Sequence, residues 1–210
     1  MKDVTIHLVR HGQSLRNTFP DLMGQDPEEP LSEKGRGQAD MLGTYLKYAI
    51  KPDRIFSSPY ARAKSTAELA CAHLENPPTI EEVDALREYS AGDMTGKSRS
   101  KDLTPEIYAE MDSLGMNFKF NNGESLYEVE MRAARWLTHI IKYAPEDEAV
   151  NCLVFSHGMT IKCLLHFILQ FDQHMTWRVC LENTSVTTVH FTKGKWHLGS
   201  INSIPHLLQL

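Results

Sequence analysis

Cysteine is scarce in this sequence and follows no recognisable spacing. Four cysteines occur among 210 residues, and none forms a CxxC pair or another pattern typical of zinc ligands. Cys152 and Cys163 lie in apolar runs, where a cysteine usually serves as a small core residue. The sequence therefore argues against a structural zinc site and favours a reducing compartment.

Long apolar runs and an excess of positive charge are also missing. No apolar stretch is long enough to span a bilayer, and no apolar leader precedes the first strand-like segment, so we expect a cytoplasmic protein with no membrane partner. The formal net charge of −5 argues against nucleic-acid binding, which needs a basic face. A local group of arginines can still bind a small anion on an acidic protein.

Sequence patterns of two common hydrolase classes are absent as well. Many zinc hydrolases carry an HExxH segment, and this sequence has none. It also lacks the GxSxG segment that marks a serine nucleophile. No repeat, low-complexity tract or linker divides the chain, so we predict a single domain over residues 1–210.

Strand-like and helix-like segments alternate along the chain. The predicted strands cover residues 4–9, 54–57, 79–83, 149–155, 185–191 and 196–201. The predicted helices cover residues 32–48, with Ser32 as N-cap, and then 58–74, 105–113, 124–143 and 159–169. Such alternation with apolar strands predicts an α/β fold, a three-layer α/β/α sandwich with a mostly parallel sheet and helices on both faces.

One long segment, residues 86–122, is hard to assign and contains several glycines and a proline. We predict that it is a lid insert, since long irregular excursions often cover a binding site. In folds of this type ligands bind at the carboxyl ends of the strands. The residues that end each strand are therefore the first candidates for a site.

Two predicted strands lead into the same dipeptide. The first runs into His11-Gly12 and the fourth into His157-Gly158, and no other of the ten histidines is followed by glycine. A glycine at this point permits a tight turn and lets the backbone approach a ligand. A single histidine at a strand end is usually structural, but two at equivalent positions indicate a shared site.

Two arginines are expected beside these histidines. Arg10 ends a strand that we expect to be central, where a charged side chain needs a partner or a ligand. Arg62 lies one turn into the helix that begins at the same edge of the sheet. Each alone could be a salt-bridged residue, but together two planar guanidinium groups match the oxygens of a phosphate dianion.

Glu88 follows the third predicted strand, within the segment 86–92 (LREYSAG). Its local sequence is typical of a solvated loop carboxylate. In a closed site, however, it could act as a general acid.

Residues 8–14 (LVRHGQS) resemble the signature of the histidine phosphatase superfamily, in its phosphoglycerate-mutase-like branch 1. The resemblance covers nearly the whole chain, and the order and spacing of its motifs are more specific than any one of them. The other matching segments are 30–39 (PLSEKGRGQA), 57–67 (SSPYARAKSTA), 86–96 (LREYSAGDMTG), 122–125 (NGES), 156–158 (SHG) and 183–185 (NTS).

The resemblance implies a phosphatase and a role for each matching residue. His11 is implied as the nucleophile that becomes a phosphohistidine, because a neutral imidazole attacks a phosphate dianion without charge repulsion. Glu88 is implied as the proton donor to the leaving oxygen and then as the base that activates water. The implied phosphate ligands are Arg10, Arg62, a protonated His157, Asn17 and the backbone N–H of Gly158. Cationic side chains take the role of Mg²⁺, so neither a metal nor a cofactor is implied.

Three alternatives remain open at this stage. A mutase of the family carries extra basic residues, including an Arg-Arg pair, but this chain has no such pair, and its segment 86–122 offers few cations. A non-catalytic phosphate-binding relative would usually lack the nucleophile or its partners. A metallohydrolase could use His11, His157 and Glu88 as ligands, although flanking arginines would repel the metal. We therefore predict hydrolysis of a small phosphorylated metabolite.

The substrate and the oligomeric state, monomer or homodimer, are not readable from the sequence. Segment 86–122 contains several aromatic and methionine residues, which could accept an apolar leaving group or could form the core of the lid. Lys97 and Arg99 could bind a second anionic group, although surface charges are the more common explanation.

Overall fold

A six-stranded mixed sheet forms the centre of the molecule. The computed structural model describes residues 2–24 and 26–208. The strands are β1 (Asp3–Arg10), β2 (Arg54–Ser57), β3 (Ile80–Glu82), β4 (Ala149–Ser156), β5 (Val186–Thr192) and β6 (Lys195–Ser203). They lie in the order β3-β2-β4-β1-β5-β6. The first four in this order are parallel to one another, and β5 is antiparallel to both of its neighbours.

Helices follow most of the strands. They are α1 (Glu33–Ala49), α2 (Ala61–Cys71), α3 (Arg99–Asp102), α4 (Pro105–Leu114), α5 (Leu126–Tyr143), α6 (Gly158–Leu169) and α7 (Met175–Arg178). The predicted N-cap of α1 is confirmed, because the Ser32 hydroxyl accepts a hydrogen bond from the Gly35 N–H at 3.1 Å. The first turn of α5 is fixed by a capping box between Ser125 and Glu128.

The helices cover both faces of the sheet. Successive strand residues point to opposite faces, so Leu8 packs with α5 and α6, whereas Val9 packs with α1 and α2. In β4, Val154 and Phe155 divide between the same two cores. The predicted three-layer α/β/α sandwich with a mostly parallel sheet is therefore confirmed.

The main departures from the predicted elements lie at α2 and in segment 86–122; in addition, α7 was not predicted and α5 begins at Leu126. The helix predicted over residues 58–74 begins only at Ala61, because Ser58 still donates a backbone hydrogen bond to Phe155 of β4 and Tyr60 is extended. The segment 86–122 holds two α-helices, α3 and α4, where a single helix was predicted. Thr104 caps α4 and Pro105 occupies its first turn.

Within residues 2–24 and 26–208, no helix is both long and apolar enough to cross a membrane. Met1, Gln25, Gln209 and Leu210 belong to the predicted domain and lie outside the described residues.

Candidate active site

The two His-Gly dipeptides lie side by side at the carboxyl edge of the sheet. β1 and β4 are adjacent and parallel, with Arg10 paired to Ser156 in register, so the next residues are His11 and His157. The His11 N–H donates to the Ser156 carbonyl at 3.0 Å. The two imidazole rings are 5.1 Å apart between centroids, and both are almost completely buried.

The surroundings of His11 define its protonation. Nδ1 lies 2.7 Å from the Gly12 carbonyl oxygen, which can only accept, so Nδ1 carries the hydrogen and Nε2 carries the lone pair. Burial, and then the charges of Arg62 and Arg10, hold the pKa of His11 well below its usual value of 6.5. His11 is therefore a neutral imidazole at pH 7.

Gly12 is required by close packing. A Cβ at this position would lie 2.6 Å from the carbonyl oxygen of Gly35 in α1, which real side chains do not tolerate. The Gly12 N–H also donates to the Thr66 hydroxyl at 3.0 Å, and that hydroxyl donates to the Arg62 carbonyl at 2.6 Å. The turn after β1 is thereby joined to α2.

His157 contacts the start of α2. Its Nε2 is 2.8 Å from the Ser58 hydroxyl, and its ring meets the Tyr60 ring edge-on at 5.4 Å. Nδ1 is buried and has no hydrogen-bond partner among the described residues. Burial and the neighbouring Arg62 hold the pKa of His157 well below its usual value, which opposes the protonated form expected from the sequence. A phosphoryl dianion beside the ring would act in the opposite direction.

Arg10 and Arg62 both lie near His11 and His157, and each has at least one N–H group without an acceptor among the described residues. Arg62 is fully buried. Its Nη1 donates to the Asp26 carbonyl at 2.9 Å, whereas Nε and Nη2 have no partner among the described residues. Nη1 of Arg10 donates to the Leu181 carbonyl at 2.5 Å, and its Nε is buried without a partner in the same part of the chain.

Both arginines keep their charge without a salt bridge to a carboxylate of the described residues, although Glu88 lies close enough to raise their pKa values. Burial lowers the pKa of Arg10 and lowers that of Arg62 to about 10, so both remain protonated at pH 7. Neither forms an ion pair with a residue in 2–24 or 26–208. Since each buried unsatisfied donor costs about 1–3 kcal/mol, this arrangement is suited to an anion.

Glu88 is held by the beginning of α6. Its carboxylate accepts hydrogen bonds from the backbone N–H groups of Met159 and Thr160, both at 3.2 Å, and from Tyr89 at 2.9 Å. A carboxylate is favoured at a helix N-terminus, where free N–H groups and the helix dipole meet it. The loop after β3 therefore brings Glu88 to the same edge of the sheet as the histidines.

A cleft of about 410 Å³ opens over this group. Arg10, Asn17, Glu88 and Gly158 line it. The Asn17 side-chain oxygen accepts from the Ser14 N–H at 3.1 Å, so the side chain is held at the first loop. Four of the seven predicted site residues therefore line the cleft, whereas His11, Arg62 and His157 are buried next to Arg10 and are not part of its wall.

Several wall residues were not assigned to the site from the sequence. Arg16 and Lys162 had no predicted role, and Arg99 was most readily explained as surface charge. Lys162 could have been found, since it lies four residues after Gly158 on a predicted helix and so shares its face. Arg99 could not, because its place depends on how the lid segment folds.

No group of three or more His, Cys, Asp or Glu side chains is arranged to hold a metal ion within residues 2–24 and 26–208.

Comparisons with known proteins agree with the fold and find phosphatases among the similar proteins. A sequence model of the histidine phosphatase superfamily (branch 1) matches residues 6–204. The chain is 29% identical to a 5''-phosphoribostamycin phosphatase of Niallia circulans, over 95% of this chain and 96% of that protein. It is 30% identical to an uncharacterised phosphatase of Bacillus subtilis, over 95% of each. The structure of a phosphoserine phosphatase from Entamoeba histolytica in complex with 3-phosphoglyceric acid matches with a TM-score of 0.82 and 26% identity, covering 98% of this chain and 100% of that one.

Proposed function

The chain belongs to branch 1 of the histidine phosphatase superfamily, and on this premise we propose that it hydrolyses phosphate monoesters of small molecules through a phosphohistidine on His11. The observation that carries the proposal is the pairing of a buried, neutral imidazole with a fully buried Arg62 and a half-buried Arg10, each of which has a buried N–H group without a partner among the described residues. A phosphoryl dianion would satisfy those donors and meet the nucleophile at the same time.

In the first step, Nε2 of His11 attacks phosphorus. The P–N bond forms as the P–O bond to the leaving group breaks, and the leaving oxygen takes a proton from Glu88. Charge on the equatorial oxygens is stabilised by Arg10 and Arg62, which are already oriented before the substrate arrives. His157 and the Gly158 N–H complete the set of proposed phosphate contacts.

In the second step, the Glu88 carboxylate removes a proton from water while the oxygen of that water attacks the phosphohistidine. The P–N bond breaks, inorganic phosphate leaves, and the imidazole regains its lone pair. The three backbone N–H groups that donate to Glu88 hold its carboxyl group in place for both steps.

A panel of phosphate monoesters, scored by release of inorganic phosphate, tests the proposal. We expect His11→Ala to lower the rate at least ~10³-fold, as removal of a nucleophile does in other covalent enzymes. His139→Ala is the matched control, because His139 is an exposed histidine on α5. Release that is unaffected by His11→Ala would exclude the mechanism.

One arm of the panel tests the mutase alternative. The protein is incubated with 3-phosphoglycerate and a bisphosphoglycerate primer, and both phosphate and 2-phosphoglycerate are measured. Rapid formation of 2-phosphoglycerate without phosphate release would replace hydrolysis by mutase activity.

A further inference from the structure

A second cavity, of about 310 Å³, is lined mainly by residues of segment 86–122, together with Leu126, Gln173, His174 and Trp177. It shares two wall residues, Tyr89 and Arg99, with the active-site cleft. The rest of its wall is mainly apolar and includes Leu103, Tyr108, Met111, Met116, Phe118 and Trp177.

We propose that this cavity binds a flat aromatic ring carried by the leaving alcohol of the substrate, an inference that rests on the proposed phosphatase function. The protein would then prefer aryl-alkyl phosphate monoesters to small polar ones such as phosphorylated hydroxy acids.

The proposed proton donor and a residue of the cavity wall are consecutive in the sequence. Glu88 is proposed to protonate the leaving oxygen, so the carbon attached to that oxygen must begin beside Glu88. The next residue, Tyr89, belongs to the wall of both cavities. A substituent that extends away from the phosphate past Tyr89 therefore enters the apolar cavity.

The exposure of the lining residues separates a ligand pocket from the core of a lid. Tyr108 is 51% exposed and Trp177 is 48% exposed. Side chains of this size contribute to a core only when they are covered, so these two aromatic residues still have surface available for an apolar ligand.

Size and charge indicate an aromatic ring. A dry apolar cavity of ~150 Å³ holds benzene, so this cavity is large enough for two fused rings. Among the described residues, the Arg99 guanidinium has no hydrogen-bond or ion-pair partner, and such a planar cation can lie against a ring face. Asp112 also lines the cavity, which disfavours a carboxylate there.

Binding of two non-hydrolysable phosphonates tests the inference without catalysis. Isothermal titration measures the Kd of 2-naphthylmethylphosphonate and of ethylphosphonate, which share the anionic group and differ in the ring. We expect the naphthyl compound to bind the wild-type protein at least roughly tenfold more tightly, by analogy with the selectivity of apolar enzyme pockets.

Two variants locate the ring. Tyr108→Ala and Trp177→Ala should each reduce the naphthyl advantage at least roughly threefold and leave ethylphosphonate binding unchanged. Tyr48→Ala on α1 is the matched control, since Tyr48 is 82% exposed and lines neither cavity. Circular dichroism checks that the variants fold.

Three results would overturn the inference: equal affinity of the wild type for the two phosphonates, binding of neither, or an advantage that survives both variants. The phosphatase proposal fails on different data, namely phosphate release that does not depend on His11. Hydrolysis without a ring preference would therefore refute this inference alone, whereas a ring preference without hydrolysis would refute the phosphatase proposal and leave only a binding site for the ring.

Discussion

Glu88 is proposed to protonate the leaving oxygen, whereas the other proposed catalytic groups act on the phosphoryl group. Its carboxylate is fixed by the N–H groups of Met159 and Thr160 rather than by an arginine. Loss of the Glu88 proton should therefore slow the first step most for substrates whose leaving oxygen must be protonated.

We predict that Glu88→Gln slows the first step ~10²–10⁴-fold for an alkyl phosphate such as phosphoserine, the range attributed to general acid catalysis. The same variant should slow the release of 4-nitrophenol from 4-nitrophenyl phosphate less than ~10-fold, since that leaving group departs without a proton. Burst-phase kinetics isolate the first step from the hydrolysis of the intermediate. Equal losses for both substrates would show that Glu88 is not the acid.

At the residue scale, the sequence revealed where the histidines lie but not how they are protonated. The position of His11 and His157 follows from two strands that end in His-Gly. The tautomer of His11 depends on the Gly12 carbonyl, and the low pKa of His157 depends on burial and then on Arg62, which lies on another element. Contacts between distant residues of this kind have no local signature.

At the scale of elements, α5 holds the loop that carries Glu88. Nε of Arg132 donates to Glu124 at 2.9 Å, and Nη1 donates to the Ala85 carbonyl at 2.7 Å. Nη2 reaches Glu124 at 3.1 Å and the Glu88 carbonyl at 3.3 Å, and Glu124 accepts in turn from the Ser90 N–H. Arg132 is therefore a positioning residue for Glu88.

We predict that Arg132→Leu lowers the free energy of unfolding by about 2 kcal/mol, because a carboxylate and two carbonyls lose their donor in a half-buried site. Urea denaturation measures this change. The variant should also slow the first step more for phosphoserine than for 4-nitrophenyl phosphate, which a purely structural role would not produce. Arg135→Leu, at an exposed position of the same helix, is the control. Equal slowing of both substrates would remove Arg132 from the positioning of the acid.

Helices and strands with a regular apolar pattern in the sequence were predicted best. The strands and the long helix α5 were found because their apolar periodicity is strong, and Ser32 was recognised as a cap. The start of α2 was misplaced, since Ser58 keeps its hydrogen bond to β4 and delays the helix to Ala61. Segment 86–122 gave only a weak signal because residues distant in sequence hold it: the Arg99 N–H donates to the Asp21 carbonyl, and the Met116 N–H donates to the Gln173 side chain.

In the molecule as a whole, three buried histidines and the half-buried His7 couple folding to pH. His7 and His206 have pKa values lowered by burial to about 4, and those of His11 and His157 are also well below 6.5. Below pH 6.5 the unfolded chain binds protons that the folded chain does not, so stability is greatest above pH 6.5 and falls as the pH is lowered through it.

We predict that the free energy of unfolding decreases steadily from pH 6.5 to pH 4.5, as measured by urea denaturation. His7→Gln should remove the uptake of about one proton on unfolding. This change reduces the slope of the unfolding free energy against pH by ~1.4 kcal/mol per pH unit. His174→Gln is the control, because His174 is exposed. A free energy of unfolding that is constant between pH 7.5 and 5 would contradict this account of the buried histidines.

The central claim is that His11 carries the phosphoryl group during turnover. Rapid mixing with 4-nitrophenyl phosphate, an alkaline quench and peptide mapping by mass spectrometry test it directly, because phosphohistidine survives base and is lost in acid. We predict a phosphoryl adduct on the peptide that contains His11, formed at least as fast as steady-state turnover and absent from His11→Ala. Phosphate release with no adduct on His11, or with the adduct on another side chain, would contradict the claim.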